Sequence, residues 1–458
     1  MKRVSAIAFC LGCFFSALPP LSAQSMPVTR NSDPAINRAV RQISAERVEA
    51  DIRQLVSFHT RATLSAQDPA AIAANRGIGA AREWIKGEFE RYARDCKGCL
   101  EVKTDTFTAP PSERIPHPSE ITNVYAVLKG DNAGDAGRIV LVTGHYDSRN
   151  SDPMDSEGIA PGANDDASGT AVSLECARVL STMKFPATII FLAVAGEEQG
   201  LIGSHHFAEM AKTAGWNIEA VLNNDIVGGD RNSRQRPAAV RVFSEGLPTS
   251  LAESDLRRIR GLGEESDSPS RELARYIAET GQSYQLGVQP LLIFRPDRYL
   301  RGGDHSSFNQ QGWAAVRFTE YAEDYNHQHQ NVRTADGVEY GDLPQFVDFD
   351  YVARVARLNA AVLASLAAAP APPASVRLLT RKLENDSTLQ WNPSPDGRAT
   401  EYQVLQRATT SPEWEQMNVV KNGTQITISE SKDNVIFALR AIDENGHSSL
   451  PVVPLPER

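Results

Sequence analysis

The chain has 458 residues, 41% of them hydrophobic, with a net charge of −10 and a pI near 5.5. That length exceeds one ordinary core and makes two domains the expectation. The acidic balance excludes the basic footprint of a nucleic-acid binder.

Lys2 and Arg3 precede an apolar stretch, 4–18, that is too short to span a membrane. Leu21-Ser22-Ala23 offers a cleavage site after it. A signal peptide over 1–23 is therefore expected. The mature protein would be secreted or periplasmic, with no stable membrane association. Of five cysteines, cleavage leaves Cys96, Cys99 and Cys176. In an exported protein Cys96-Lys97-Gly98-Cys99 reads as a local disulfide. It follows a helix rather than sitting in a thioredoxin-like unit, and no second pair accompanies it to make a zinc knuckle. Cys176 reads as a buried thiol.

Apolar spacing predicts helices over 48–58 and 71–92, and alternation predicts half-buried strands over 101–108 and 122–128. The stretch 139–225 then reads strand, loop, helix, strand, loop, helix, strand. Its strands are expected at 139–144, 188–194 and 220–224, with a helix over 171–183. Strands alternating with helices imply a largely parallel sheet covered on both faces, a mixed α/β class. Ligands of such sheets lie beyond the carboxyl ends of the strands. Further on, 231–237 and 261–269 read as loops, 271–280 as a helix, and 291–294 and 314–319 as strands. A long amphipathic helix over 346–368 closes a domain running from 34 to 369.

Ala369-Pro370-Ala371-Pro372-Pro373-Ala374 reads as a stiff linker over 370–374, and few contacts are expected to cross it. Beyond it, short alternating runs at 375–379, 387–391, 401–406, 425–429 and 434–442 predict a small β-sandwich over 375–458. Trp391 and Tyr402 would anchor its core. This segment resembles a fibronectin type III domain.

Each strand of the parallel part runs out into acidic residues or a histidine. His145 and Asp147 follow the first strand and Asp165 precedes the helix. Glu197 and Glu198 follow the second strand, and Asp225 the third. Singly, such residues are helix caps or solvated loop groups. Together, unpaired carboxylates at buried strand ends would repel and lose hydration, and a cation removes both costs. Zinc takes histidine nitrogen and carboxylate oxygen. A hydrolytic pair of ions needs about five protein ligands and a general base. The sequence offers His145, Asp165, Glu198, Asp225 and a late histidine near 327, with Glu197 spare. HExxH, GxSxG and P-loop signatures do not occur.

The ordered set Gly144-His145-Tyr146-Asp147, Gly162-Ala163-Asn164-Asp165-Asp166-Ala167-Ser168-Gly169, Gly196-Glu197-Glu198, Asn224-Asp225 and Gly303-Asp304-His305 resembles the co-catalytic di-zinc aminopeptidase family. That family includes secreted bacterial aminopeptidases, plasma glutamate carboxypeptidase and the glutaminyl cyclases. The resemblance covers about residues 40–369 and implies a phosphorylase/hydrolase-like fold with two zinc ions per chain. It implies that His145 and Asp225 hold one ion and that Asp165 bridges both. Glu198 and the late histidine would hold the other, with Glu197 as general base. Asp147 would accept from the His145 ring and fix its orientation. In the family the late histidine is followed four residues on by Asp. His327 has Asn331 at that offset and His329 has Arg333, so His327 is the expected ligand. His305 would line the pocket or fix its loop rather than bind metal. Tyr325 would donate to the oxyanion.

The expected activity is a zinc exopeptidase, an aminopeptidase acting on peptides. Carboxypeptidase, dipeptidase or glutaminyl cyclase activity on the same fold is the alternative. A binding protein on this scaffold is disfavoured by Glu197 beside a full ligand set. A third reading makes the C-terminal sandwich the functional part, as an adhesion module. The sequence leaves the residue preference and the oligomeric state open.

Overall fold

The structure is a computed structural model that describes residues 25–28 and 31–457. The expected signal peptide lies outside the described residues. An eight-stranded mixed sheet forms the centre. Its strands, in chain order, are β1 (Leu100–Ala109), β2 (Ser119–Leu128), β3 (Arg138–His145), β4 (Thr188–Val194), β5 (Asn217–Asn224), β6 (Ala239–Ser244), β7 (Gln289–Ile293) and β8 (Ala315–Glu320). In space they run β1-β2-β4-β3-β5-β8-β6-β7. β4, β3, β5 and β8 are mutually parallel, while β1 and β2 form an antiparallel edge.

Strand periodicity assigns the two faces. Val140 and Val142 of β3, with Ile189, Phe191 and Ala193 of β4, enter the larger core. Ile139, Leu141, Ile190, Leu192 and Val194 enter the smaller one. Successive side chains point to opposite faces, so continuous apolar runs such as β4 serve both at once. The larger core is covered by α1 (Pro34–Val40), α2 (Ala45–Val56), α3 (Gly77–Asp95), α4 (Ala167–Leu180), α6 (Pro269–Tyr284) and α8 (Phe349–Ala368). The smaller is covered by α5 (Ile202–Thr213) and α7 (His305–Gln310). The α8 helix is long and apolar enough to cross a membrane, but it is packed inside the protein.

Several elements depart from the sequence reading. The helix expected over 71–92 is broken into a short turn of helix, Pro69–Ala73, and α3, because Asn75 and Gly77 take positive φ values of 57° and 78°. β6 and the helix Glu253–Leu262, none of whose residues is buried, are further elements absent from the sequence reading. Cys96 and Cys99 form the expected disulfide just past α3, and Cys176 is a buried free thiol.

The C-terminal part is a β-sandwich of strands β9 (Ala374–Leu379), β10 (Ser387–Asn392), β11 (Glu401–Ala408), β12 (Gln416–Val420), β13 (Gln425–Ile428), β14 (Val435–Ile442) and β15 (Leu455–Glu457). One sheet has the order β13-β10-β9-β15, and the other joins β12, β11 and β14 to the N-terminal pair Met26–Pro27. Trp391 and Tyr402 pack together in its core, ring centroids 5.5 Å apart. The Pro/Ala stretch is not the contact-poor linker expected from its composition. Ala369 and Ala371 are buried, and the carbonyls of Ala369 and Pro370 accept from Arg138. Arg398 of the sandwich also reaches the Ala369 carbonyl, at 2.9 Å. Composition reports stiffness, whereas burial depends on which arginines the two domains present to it.

Candidate active site

The site lies where β3, β4 and β5 end. Backbone contact there is close enough to demand glycine. A Cβ on Gly144 would meet the Gly169 carbonyl carbon at 2.3 Å, and one on Gly169 would meet the Asn224 oxygen at 2.1 Å. Asp166 fastens the same three elements. Its carboxylate accepts from Gly169 N at 2.8 Å, capping α4, from His145 N at 3.0 Å and from Ile226 N at 3.3 Å. Fully buried Arg61 donates to the carbonyls of Tyr146, Pro161 and Gly162 at 2.6–2.8 Å and so anchors the loop that leads into Asp165. Burial pushes its guanidinium down to about 10, with nearby Asp342 and Asp147 opposing.

Four of the expected ligands converge. His145 Nε2 lies 3.2 Å from Asp165 Oδ1 and 3.9 Å from Asp225 Oδ1. Possible ligand atoms of His145, Asp165 and Asp225 fall within 4.8 Å of one another, as do those of His145, Glu197 and Glu198. Asp147 braces the group. Its carboxylate accepts from Thr63 Oγ1 at 2.7 Å and from the backbone N–H groups of Glu198 at 3.1 Å and Glu197 at 3.3 Å. The His145 ring is held jointly, with Nδ1 3.1 Å from the Asp147 backbone carbonyl and 3.4 Å from its carboxylate.

The late histidine is a correction. His327 is outside this group: its Nδ1 is 2.5 Å from Asp230 Oδ2 and its ring stacks on Phe346 at 3.6 Å. His329 occupies the place instead, with Nε2 2.9 Å from Asp165 Oδ2 and 3.0 Å from Glu198 Oε1. Counting residues to Asn331 cannot set a direction on an irregular loop. Here His329 has a left-handed φ of 54°, and Asn331 is occupied by Ser151. His305 joins none of these groups and turns its Nε2 to the Pro296 carbonyl at 2.7 Å. Tyr325 is 64% exposed at the wall of the cleft.

Sequence reasoning missed Arg317 on β8. It is fully buried, 2.7 Å from Asp225 and 3.3 Å from Asp297. An arginine inside an apolar strand was the available signal. Gln328 was missed too; its Nε2 donates to Asp165 Oδ2 at 3.1 Å. Above the site a cleft of about 520 Å³ is walled by Arg114, Arg149, Arg298 and Arg301 around Glu197 and Glu198.

The electrostatics are those of a cation site. Burial, with Asp225, Glu198 and Asp304 nearby, drives the Glu197 carboxyl well above the usual range, against the pull of His145. Burial likewise lifts Asp304 to about 7, with Asp225 and Asp147 adding to the rise. Burial lowers His329, but Glu198 and Asp165 outweigh it and lift the imidazole to about 10. What stabilises an imidazolium here would stabilise a cation between the same atoms. Two imidazole nitrogens among carboxylate oxygens form a donor set that fits zinc.

A family model described as Peptidase family M28 matches residues 123–348. A probable zinc metalloprotease of Pyrenophora teres f. teres is 44% identical over 97% of this chain and 92% of its own length. A probable zinc metalloprotease of Leptosphaeria maculans is 45% identical over 92% of this chain and 97% of its own. Among solved structures, the Legionella pneumophila LapA aminopeptidase has the same fold, with a TM-score of 0.52 and 19% identity over 74% of this chain and 77% of that one. With relatives matching along nearly its full length and the family model spanning the strand ends that carry the site, the chain belongs to peptidase family M28.

Proposed function

We propose that the chain is an exported zinc exopeptidase, an aminopeptidase that removes N-terminal residues from peptides. The observation that carries this reading is the row His145–Asp165–His329, flanked by Asp225 and Glu198, with Glu197 beside it in the open cleft. In this reading His145, Asp225, His329, Glu198 and Asp165 are the residues that would hold zinc. When bound, zinc supplies a Lewis acid for the peptide carbonyl and a water that ionises near neutral pH. Glu197 takes the proton of the attacking water on its carboxylate and gives it to the leaving amine. Asp147 keeps the His145 ring and the 197–198 backbone in place, and Arg317 offsets the charge of Asp225. Tyr325 donates to the developing oxyanion from the cleft wall. The leader at 1–23 and the Cys96–Cys99 disulfide support export. The two sheets around Trp391 and Tyr402 support a fibronectin type III-like module.

The four arginines around the cleft favour a second reading, a carboxypeptidase or dipeptidase whose substrate presents a carboxylate. Aminoacyl, N-blocked peptidyl and N-terminal glutaminyl substrates, assayed on zinc-loaded full-length protein, separate the two readings and the cyclase. Turnover of the aminoacyl set alone supports the aminopeptidase. Turnover confined to blocked peptides with a free C-terminus transfers the assignment to the second reading.

A further inference from the structure

A second cluster lies beside the first, and the proposed function does not use it. Asp230, Asp324 and His327 each place a possible ligand atom within 4.8 Å of the others. They wall a small, partly enclosed cavity together with Glu320, at the end of β8, and Gln328. The charges do not balance. Glu323 close by is answered by Arg241, Arg298 and Arg301 at 2.9–3.0 Å. Asp342 accepts the backbone N–H groups of Asn164 and Asp165 at 2.8 and 2.7 Å. Asp230 and Asp324 remain, with His327, bonded to Asp230, as the basic group among them.

Two buried side chains point to an occupant. Glu320 is wholly buried. Its Oε2 accepts from Asp230 N at 2.7 Å and Asn164 Nδ2 at 3.1 Å, while Oε1 has no hydrogen-bond partner among the described residues. Gln328 is 7% exposed and spends its Nε2 on Asp165, and its Oε1 also lacks a partner among the described residues. Leaving such oxygens unsatisfied is costly. The cavity gives the centre of a water-sized sphere about 10 Å³, room for one atom-sized occupant.

We propose that Asp230, Asp324 and His327, with Glu320 and Gln328 completing the shell, bind one further divalent cation of the zinc type, separate from the catalytic centre. An imidazole nitrogen among carboxylate oxygens suits a transition ion better than the all-oxygen shell of calcium. The ion ties the loop after β8 to Asp165 through Gln328, and so holds the segment that delivers His329.

Zinc content at saturation is to be measured on full-length wild type, Asp324→Asn, Glu320→Gln and His329→Ala, with an anomalous difference map at the zinc edge from wild-type crystals. Asp324→Asn is expected to hold one molar equivalent less than wild type. The map is expected to place a peak between Asp230, Asp324 and His327. Wild-type zinc content in both Asp324→Asn and Glu320→Gln overturns the proposal. So does a map with density for water alone in this cavity, and the map decides if the variants do not fold. A peak here with none around His145 and His329 would sink the catalytic-centre reading and leave this site standing.

Discussion

Glu197 and Glu198 are chain neighbours whose backbone N–H groups share one acceptor, Asp147, yet their side chains have different surroundings. Glu198 Oε1 lies 3.0 Å from His329, whereas Glu197 is partly open to the cleft. Glu197→Gln is expected to keep its zinc and lose ~10²–10⁴ in kcat, about 3–5 kcal/mol at 1.36 kcal/mol per decade. KM should move little, because ground-state contacts remain. Glu198→Gln is expected to lose zinc and to recover partly in excess metal. Elemental analysis and kcat, measured side by side, check both; the opposite pattern swaps the roles. His329→Ala should abolish activity, with partial rescue by excess zinc, and His327→Ala should lower it far less. Equal loss in the two variants would return His327 to the catalytic set. These residues illustrate what was legible at this scale. His145, Asp165 and Asp225 sit directly at ends of regular elements, where position in the sequence fixes position in space. His329 lies on a loop whose path depends on Asp230, Phe346 and Ser151, residues far away along the chain.

At the scale of elements, the site depends on how closely β3, α4 and β5 approach. Gly169→Ala would drive a methyl group to 2.1 Å from the Asn224 carbonyl oxygen and to 2.5 and 2.7 Å from the Asp166 carboxylate oxygens, which are themselves tied to His145 N and Ile226 N. Overpacking of this kind costs typically ~1–3 kcal/mol. Urea denaturation should show the midpoint falling with the slope unchanged. Zinc affinity should fall as well, since Asp165 and Asp225 ride on the two displaced elements. Unchanged stability and metal affinity would mean that the two segments separate freely. The helix-strand alternation that builds this junction was readable from periodicity. The contact distance was not, although both glycines were visible, because a glycine in sequence does not say what presses against it.

At the scale of the molecule, the sandwich is welded to the catalytic domain. Arg407 pairs with Asp267, both buried, and Arg440 pairs with Glu279 at 2.6 Å. Trp414 Nε1 donates to Glu272 at 2.9 Å, and Arg398 reaches Asp135 at 2.7 Å. Removing one partner of a buried pair costs ~3–5 kcal/mol. Truncation after residue 369 removes several at once and is therefore expected to yield insoluble or unfolded protein. A soluble, active 24–369 fragment would show that these contacts are dispensable. His447 adds a pH-dependent latch, with Nε2 2.9 Å from Asp33 and Nδ1 3.0 Å from Asp443. Burial alone would lower its pKa, but the bonds to Asp443 and Asp33 raise it above 6.5. The folded state thus favours the protonated ring. The latch contributes fully below the unfolded value of about 6.5 and is lost as pH climbs through the folded one. Melting temperatures of wild type and His447→Gln should differ most below the unfolded value of about 6.5 and converge as pH rises through the raised folded value. A gap that widens with pH would refute the latch.

The amino-acid order alone determined the α/β class, the three strand ends that carry His145, Glu197, Glu198 and Asp225, the loop with Asp165, the local disulfide and the presence of a second β domain. All of these follow from local periodicity or from residues a few positions apart, which chain geometry brings together whatever the rest does. The tertiary structure decided which late histidine faces Asp165, that Arg317 answers Asp225, that Asp230, Asp324 and His327 form a cluster of their own, and that the two domains share buried ion pairs. Each of those facts joins segments from tens to more than a hundred residues apart. Their meeting depends on packing and on the pairing of buried charge, and these are properties of the folded whole that no spacing within one segment records.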